Sequence, residues 1–199
     1  MPEKQRSLFN FDPSPMYPPG FRYQEEVISE EEEARLIATF ATLPFKEFQF
    51  GPFQGKRRVL SFGWRYDYTE QRAKPAEPIL PFLVDTYQTI RSATGFRLSN
   101  LEQALVTEYA PGTTIGWHRD KTMFQEVLGL SLSSLCNFRL RKRTGDKWTR
   151  VNLEALPRSA YFFEGEARWE WEHSIPPVEE LRYSITFRSL RDDFKRTSE

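Results

Sequence analysis

Apolar and polar positions follow one period up to Gly95 and another after it. From Ser29 the segment SEEEEARLIATFA sets Ala34, Leu36, Ile37, Phe40 and Ala41 at helical spacing, the pattern of an amphipathic helix. Ser29 with Glu32 three residues on is a capping-box signature, so the helix is predicted to start there. Glu30 to Glu33 then occupy a first turn, where the helix dipole favours carboxylates and no bound cation is needed to explain them. A second helix is predicted through PILPFLVDTYQTIRSATG, with Phe82, Leu83, Tyr87 and Ile90 on one stripe and Gly95 as its stop. Beyond Gly95 the segments EQALVTEY, VLGLSLSSL, CNFRLRKR, KWTRVNL, SAYFFEG, RWEWEH and LRYSITFRS are short, β-branched or aromatic, and separated by Gly, Pro, Asp and Asn. They read as strands. Two helices followed by a run of strands predict an α+β, mainly β protein, its N-terminal helices packed on one sheet of an antiparallel sandwich or barrel. Residues 1–20 hold five prolines and no sustained period, and are expected to form an extended, loosely packed arm before a single domain at 21–199.

Composition narrows the class. The 199 residues suffice for one domain, and 39% hydrophobic with 15% aromatic content fits a folded chain. No apolar run approaches the roughly 18 residues of a membrane span, and MPEKQRSLFN lacks an apolar signal core. The expectation is a protein with no membrane contact, acting as a monomer in the cytoplasm, or in the nucleus of a eukaryote. Cys136 is the sole cysteine, which agrees with a reducing compartment. A net charge of zero offers no sign of a nucleic-acid partner, but residues 51–150 carry 16 basic and 9 acidic side chains, a net +7 between acidic flanks. Within that middle, Lys56, Arg57 and Arg58 form one cluster and Arg139, Arg141, Lys142, Arg143, Lys147 and Arg150 another. Such clusters track phosphates; the alternation of Arg139, Arg141 and Arg143 equally fits the solvated face of a hairpin.

The chemistry concentrates in EYAPGTTIGWHRDKT. If Trp117 to Asp120 is extended, His118 and Asp120 project to one side and Trp117 and Arg119 to the other. His173, the only other histidine, ends the strand-like RWEWEH and is placed to add a third ligand from across a barrel. Two histidines and a carboxylate form the facial triad of non-haem Fe(II) oxygenases; a zinc site is compatible with the same ligand types. In LRYSITFRSLR, alternation sorts Arg182, Ser184, Thr186 and Arg188 to one face and Tyr183, Ile185 and Phe187 to the other. On an edge strand the polar face would meet water. Facing a pocket instead, its guanidinium groups would demand anions, because an unpaired buried charge is prohibitively costly. A dicarboxylic acid meets that demand, with Arg182 gripping one end while the other chelates the metal.

Tyr109-Ala-Pro-Gly112-x-x-Ile115-x-x-His118-x-Asp120, then His173, then Arg182-Tyr-Ser-Ile-Thr-Phe-Arg188, resembles the motifs of the AlkB family of 2-oxoglutarate- and Fe(II)-dependent dioxygenases. The resemblance implies a double-stranded β-helix (jelly roll), with its catalytic core over 102–190. It implies Fe(II) on His118, Asp120 and His173, and the distal carboxylate of 2-oxoglutarate on Arg182 and Tyr109, with Arg188 near the metal-proximal end. Thr107 and Ser184 stand where many members carry asparagines that contact 2-oxoglutarate, and Thr122 replaces an acidic residue used by some in base recognition. Residues 57–68, RRVLSFGWRYDY, fall where members carry a nucleotide-recognition lid. Arg57, Arg58 and Arg65 among Trp64, Tyr66 and Tyr68 suit phosphate contact and base stacking, although the same alternation also fits a strand whose aromatics fill the core.

The activity implied is oxidative dealkylation of N-alkylated bases in DNA or RNA, such as 1-methyladenine or 3-methylcytosine. It consumes O2, turns 2-oxoglutarate into succinate and releases formaldehyde. The alternatives are hydroxylation or demethylation of a modified tRNA base or protein side chain, and a catalytically silent nucleic-acid-binding module on the same fold.

Overall fold

The computed structural model describes residues 17–50, 53–67, 70 and 72–195. In chain order its elements are β1 (Phe21–Gln24), α1 (Glu30–Phe40), β2 (Lys46–Phe50), β3 (Phe53–Phe62), β4 (Trp64–Asp67), β5 (Arg72–Pro75), α2 (Pro81–Thr94), β6 (Gln103–Tyr109), β7 (Ile115–His118), β8 (Phe124–Leu132), β9 (Cys136–Thr144), β10 (Lys147–Ala155), β11 (Ala160–Phe163), α3 (Gly165–Trp169), β12 (Glu172–Ile175), β13 (Arg182–Leu190) and α4 (Asp192–Lys195). Both long helices arise where the pattern predicts them. Ser29 caps α1 by accepting from the Glu32 backbone N–H at 3.2 Å, while Glu32 accepts from the Ser29 N–H at 3.0 Å. Pro81 opens α2, and Gly95 ends it in the left-handed region at φ 70°.

The strands divide between a major sheet, ordered β1-β11-β8-β13-β6-β3-β2, and a minor sheet, ordered β10-β9-β12-β7, with β4-β5 a separate hairpin. From β6 onward the chain passes repeatedly from one sheet to the other, and the strand pairings are antiparallel. This is the double-stranded β-helix that the motifs imply. On the outer face of the major sheet, Leu36 and Phe40 of α1 and Leu83, Tyr87 and Ile90 of α2 bury against Val106, Leu128, Leu130, Ile185 and Phe187. Between the sheets a second core gathers Phe138, Leu140, Tyr161, Phe163, Trp171 and Ile175.

Strand β13 serves both cores. Tyr183, Ile185 and Phe187 face the helices, and all nine residues of β13 are buried, so the polar face turns into the jelly roll rather than to water. Three expectations change. Strands do not wait for Gly95: β1 to β5 precede it, and β1, β2 and β3 complete the edges of the major sheet. RWEWEH is not one strand, since Arg168 and Trp169 lie in α3 and extended structure begins at Glu172. His173 does not reach across a barrel either: it pairs in register with His118 on the adjacent strand. Of the N-terminal arm, residues 17–20 are described; Pro18 is buried and Pro19 accepts from the Ala167 N–H. Residues 1–16 lie outside the described residues.

Candidate active site

Strands β7 and β12 place the two histidine rings side by side, with centroids 4.3 Å apart. A register shift between His173 and Ile175 lets His118 share the inner side with Ile115, three residues earlier, which strict alternation would forbid. His173 is packed on Phe138 and Phe163, 5.5 and 5.4 Å away. Burial, with His118 beside it, pushes the His173 imidazole down to about 3, so it is neutral at physiological pH and has a lone pair to give. His118 Nδ1 lies 2.9 Å from the Gly116 carbonyl. With Nδ1–H donating there, Nε2 is left free as a ligand.

Asp120 follows in the loop after β7. Burial works to raise its carboxyl pKa, but the Arg188 guanidinium, with His173 and Arg168, holds it well below the usual carboxylate range. Its Oδ1 accepts from Arg188 Nη2 at 2.7 Å and its Oδ2 stands 3.8 Å from His173 Nε2. Among the described residues no three His, Cys, Asp or Glu side chains are gathered tightly enough to hold a metal as they stand. The donor set of two imidazoles and an ionised carboxylate on one wall nonetheless fits Fe(II) in chemical type.

Two further residues, which sequence reasoning did not single out, fix this wall. Gln103 accepts from Arg188 Nη1 at 2.8 Å and donates to the Trp64 carbonyl at 2.8 Å and Ser61 Oγ at 3.1 Å, so it joins the arginine behind Asp120 to the β3–β4 turn. Arg168, buried over the Trp169 ring, donates to the carbonyls of Lys121 and Phe124, both at 2.7 Å, bracing the turn after Asp120.

Deeper between the sheets Arg182 is 0% exposed. Its Nη2 donates to Ser131 Oγ at 3.0 Å, its Cζ lies 4.9 Å from the Tyr109 ring centroid, and its Nε and Nη1 have no hydrogen-bond partner among the described residues. A buried guanidinium with two orphaned donor atoms fits a carboxylate that the polypeptide does not supply. Tyr109 Oη and Ser184 Oγ are 3.3 Å apart, and Thr107 is the register partner of Ser184. Tyr161 and Cys136 complete the surround; burial pushes both pKa values up, so both stay protonated. These residues fit the distal end of 2-oxoglutarate.

The site opens into a groove of about 1680 Å³ lined by His118, Asp120 and Arg188 on one side and by Arg57, Arg65 and Tyr66 on the other. That exceeds the ~300–1,000 Å³ usual for small-molecule pockets. Arg57 stacks on Phe48 at 3.8 Å and Tyr66 on Lys121 at 4.4 Å. Arg58 and Trp64 of the expected lid, and Thr122 of the expected base contacts, do not line the groove. Arg58 makes a two-pronged pair with Glu108 at 2.7 and 2.8 Å, away from the groove. Trp64 packs against Met123, Phe124 and Leu190, and Thr122 is exposed on the turn after Asp120. Tyr68 lies outside the described residues.

A jelly roll with paired histidines, an aspartate and a buried, half-unpartnered arginine points to the iron- and 2-oxoglutarate-dependent oxygenases. Residues 20–188 match the family described as 2OG-Fe(II) oxygenase superfamily; the chain belongs to that family, as an AlkB-type member. Residues 20–188 are therefore an oxygenase domain of the class that works with Fe(II), 2-oxoglutarate and O2. The chain is 29% identical over 164 residues to the tRNA (carboxymethyluridine(34)-5-O)-methyltransferase ALKBH8 of Macaca fascicularis, a match over 79% of this chain and 24% of that protein. It is 26% identical over 162 residues to the alkylated DNA repair protein ALKBH8 homolog of Arabidopsis thaliana, covering 68% of this chain and 47% of the relative. The chain thus spans about a quarter to a half of the length of these relatives. The solved structure of OsALKBH1 superposes with a TM-score of 0.66 at 17% identity, covering 87% of this chain and 99% of the other.

Proposed function

We propose that the protein oxidises an alkyl carbon on a modified base of DNA or RNA, with N-methyl bases such as 1-methyladenine and 3-methylcytosine as the leading substrates. The observation that carries this reading is the groove: it runs from Asp120 and His118 to Arg57 and Arg65 and has room for a nucleotide with its neighbours. Bound Fe(II), 2-oxoglutarate and O2 supply the oxidant for C–H hydroxylation, the 2-oxoglutarate leaving as succinate and carbon dioxide. The protein's own groups do the positioning. His118, Asp120 and His173 hold the metal. Arg182, aided by Tyr109 and the hydroxyls of Thr107 and Ser184, grips the distal carboxylate through charge-assisted hydrogen bonds. Arg188 keeps Asp120 ionised and in place. Arg57 and Arg65 meet phosphates, and Tyr66 offers a ring face to the base. A base within a duplex must leave the stack to reach Asp120, at a cost of a few kcal/mol that single-stranded substrate avoids.

A second reading keeps the chemistry and changes the base, to a substituent on a tRNA uridine. The macaque relative's name places its activity on carboxymethyluridine 34 of tRNA, and exposed Thr122 replaces the acidic contact used by some dealkylases. One assay separates the two. The protein is incubated with Fe(II), 2-oxoglutarate and oligonucleotides bearing 1-methyladenine, 3-methylcytosine or carboxymethyluridine, and substrate mass is followed. Loss of a methyl group with release of formaldehyde, abolished by Asp120→Ala, supports dealkylation. Gain of one oxygen on the uridine probe supports the second reading, and succinate formation with every oligonucleotide unchanged contradicts both.

A further inference from the structure

The outer face of the minor sheet carries a basic, aromatic strip that the proposed reaction does not use. On β9, Arg139, Arg141 and Arg143 alternate with inward Phe138 and Leu140, so their guanidinium groups lie outside. Antiparallel register sets Arg150 opposite Arg141 and Trp148 opposite Arg143. Arg141 is sandwiched between two indoles, 4.3 Å from the Trp117 ring centroid and 4.2 Å from that of Trp148. Trp117 also stacks on Arg139 at 5.0 Å and lines the groove beside His118. The ladder therefore runs unbroken from the groove mouth to the β9–β10 hairpin.

Its charges are only partly used. Arg141 pairs with Glu172 at 2.7 Å, and Arg143 meets Asp146 only at 3.8 Å on an exposed turn. Arg150 makes no ion pair with any described residue. Trp148 is 36% exposed, although each strand neighbour on its face is polar or charged. Arg141 over the ring gives a solvated face a modest cation–π gain, but that contact alone leaves Arg143 and Arg150 unexplained. A nucleic-acid strand uses both groups, stacking a base on the ring and placing phosphates against the guanidinium forks.

We propose that this strip binds the phosphodiester backbone and one stacked base of the segment flanking the modified base, so that the substrate wraps from the groove across Trp117 to the hairpin. This rests on the nucleic-acid reading given above. It is tested on the 199-residue chain with two probes, a trinucleotide centred on 1-methyladenine, which the groove alone holds, and an unmodified RNA stem-loop long enough to reach the hairpin. Arg143→Gln/Arg150→Gln and Trp148→Ala change exposed groups remote from the metal and cosubstrate residues, and their melting temperatures provide the folding control. The expected result is stem-loop affinity at least about tenfold weaker by fluorescence anisotropy, and for the double variant a log–log salt slope shallower by about 2, with trinucleotide turnover unchanged. Unchanged stem-loop affinity and slope overturn the inference, as does equal loss on both probes. If stem-loop binding responds as expected while no trinucleotide base is oxidised, the strip stands and the dealkylase reading falls.

Discussion

Arg182 is completely buried, yet two of its donor atoms have no hydrogen-bond partner among the described residues, an arrangement that is costly unless an anion enters. Arg182→Met is therefore expected to weaken 2-oxoglutarate binding by about 2–3 kcal/mol, roughly 30- to 150-fold, while the fold gains an apolar filler. Calorimetric titration of the metal-loaded variant reads the affinity and thermal melting reads the fold, and wild-type affinity would remove Arg182 from the cosubstrate pocket. Gln103 makes the converse case. Gln103→Leu leaves Arg188 Nη1 without its partner and removes one of the two donors to the Trp64 carbonyl, which keeps Ser61 Oγ at 2.8 Å. A cost of about 1–3 kcal/mol should appear as a fall of roughly 2–4 °C in Tm per kcal/mol, together with weaker Mn(II) binding at Asp120. The arginines were legible because period-two alternation sorts Arg182 and Arg188 onto one face. Gln103, Ser131 and Tyr161 were not, since Gln103 and Ser131 meet Arg188 and Arg182 only across 85 and 51 residues of chain and Tyr161 stands beside Arg182 only through the sheet packing.

Elements position these residues through details of register. The irregularity between β7 and β12 turns His118 inward beside His173; no sequence period announces it, because a bulge is an exception to the period. RWEWEH misleads for a related reason. Its aromatic alternation imitates a strand, but Ala167 buries into the inter-sheet core from α3 and Trp171 from just beyond its C-cap, and tertiary packing outweighs local β-propensity. The helices were legible down to their caps, which are local devices. Ser29→Ala removes one cap bond and should cost ~1 kcal/mol, read as a lower Tm with 2-oxoglutarate affinity unchanged. Gly129→Val acts at the site instead. A Cβ at Gly129 would overlap the Tyr161 ring, which stands beside Arg182, so the variant should lose cosubstrate affinity as well as stability. Retention of wild-type affinity would show that the Tyr161 position does not matter to the pocket.

At the scale of the whole molecule, zero net charge conceals an arrangement that the fold makes directional. The +7 middle of the chain supplies Arg57 and Arg65 to one wall of the groove and the arginine strip to the sheet beside it, while Glu30 to Glu33 lie in the first turn of α1. Nucleic-acid binding should therefore weaken steeply with salt, and Arg57→Gln/Arg65→Gln should flatten that dependence by about 2 in log–log slope. A salt-independent affinity would contradict a phosphate role for the groove. The central claim, that His118, Asp120 and His173 hold the iron to which 2-oxoglutarate chelates, is tested most directly by anaerobic absorption spectroscopy with Fe(II) and 2-oxoglutarate. The account predicts a visible charge-transfer band in the wild type that is lost in His118→Ala and in Asp120→Ala. A band that persists in both variants would contradict it, and so would its absence from correctly folded wild-type protein.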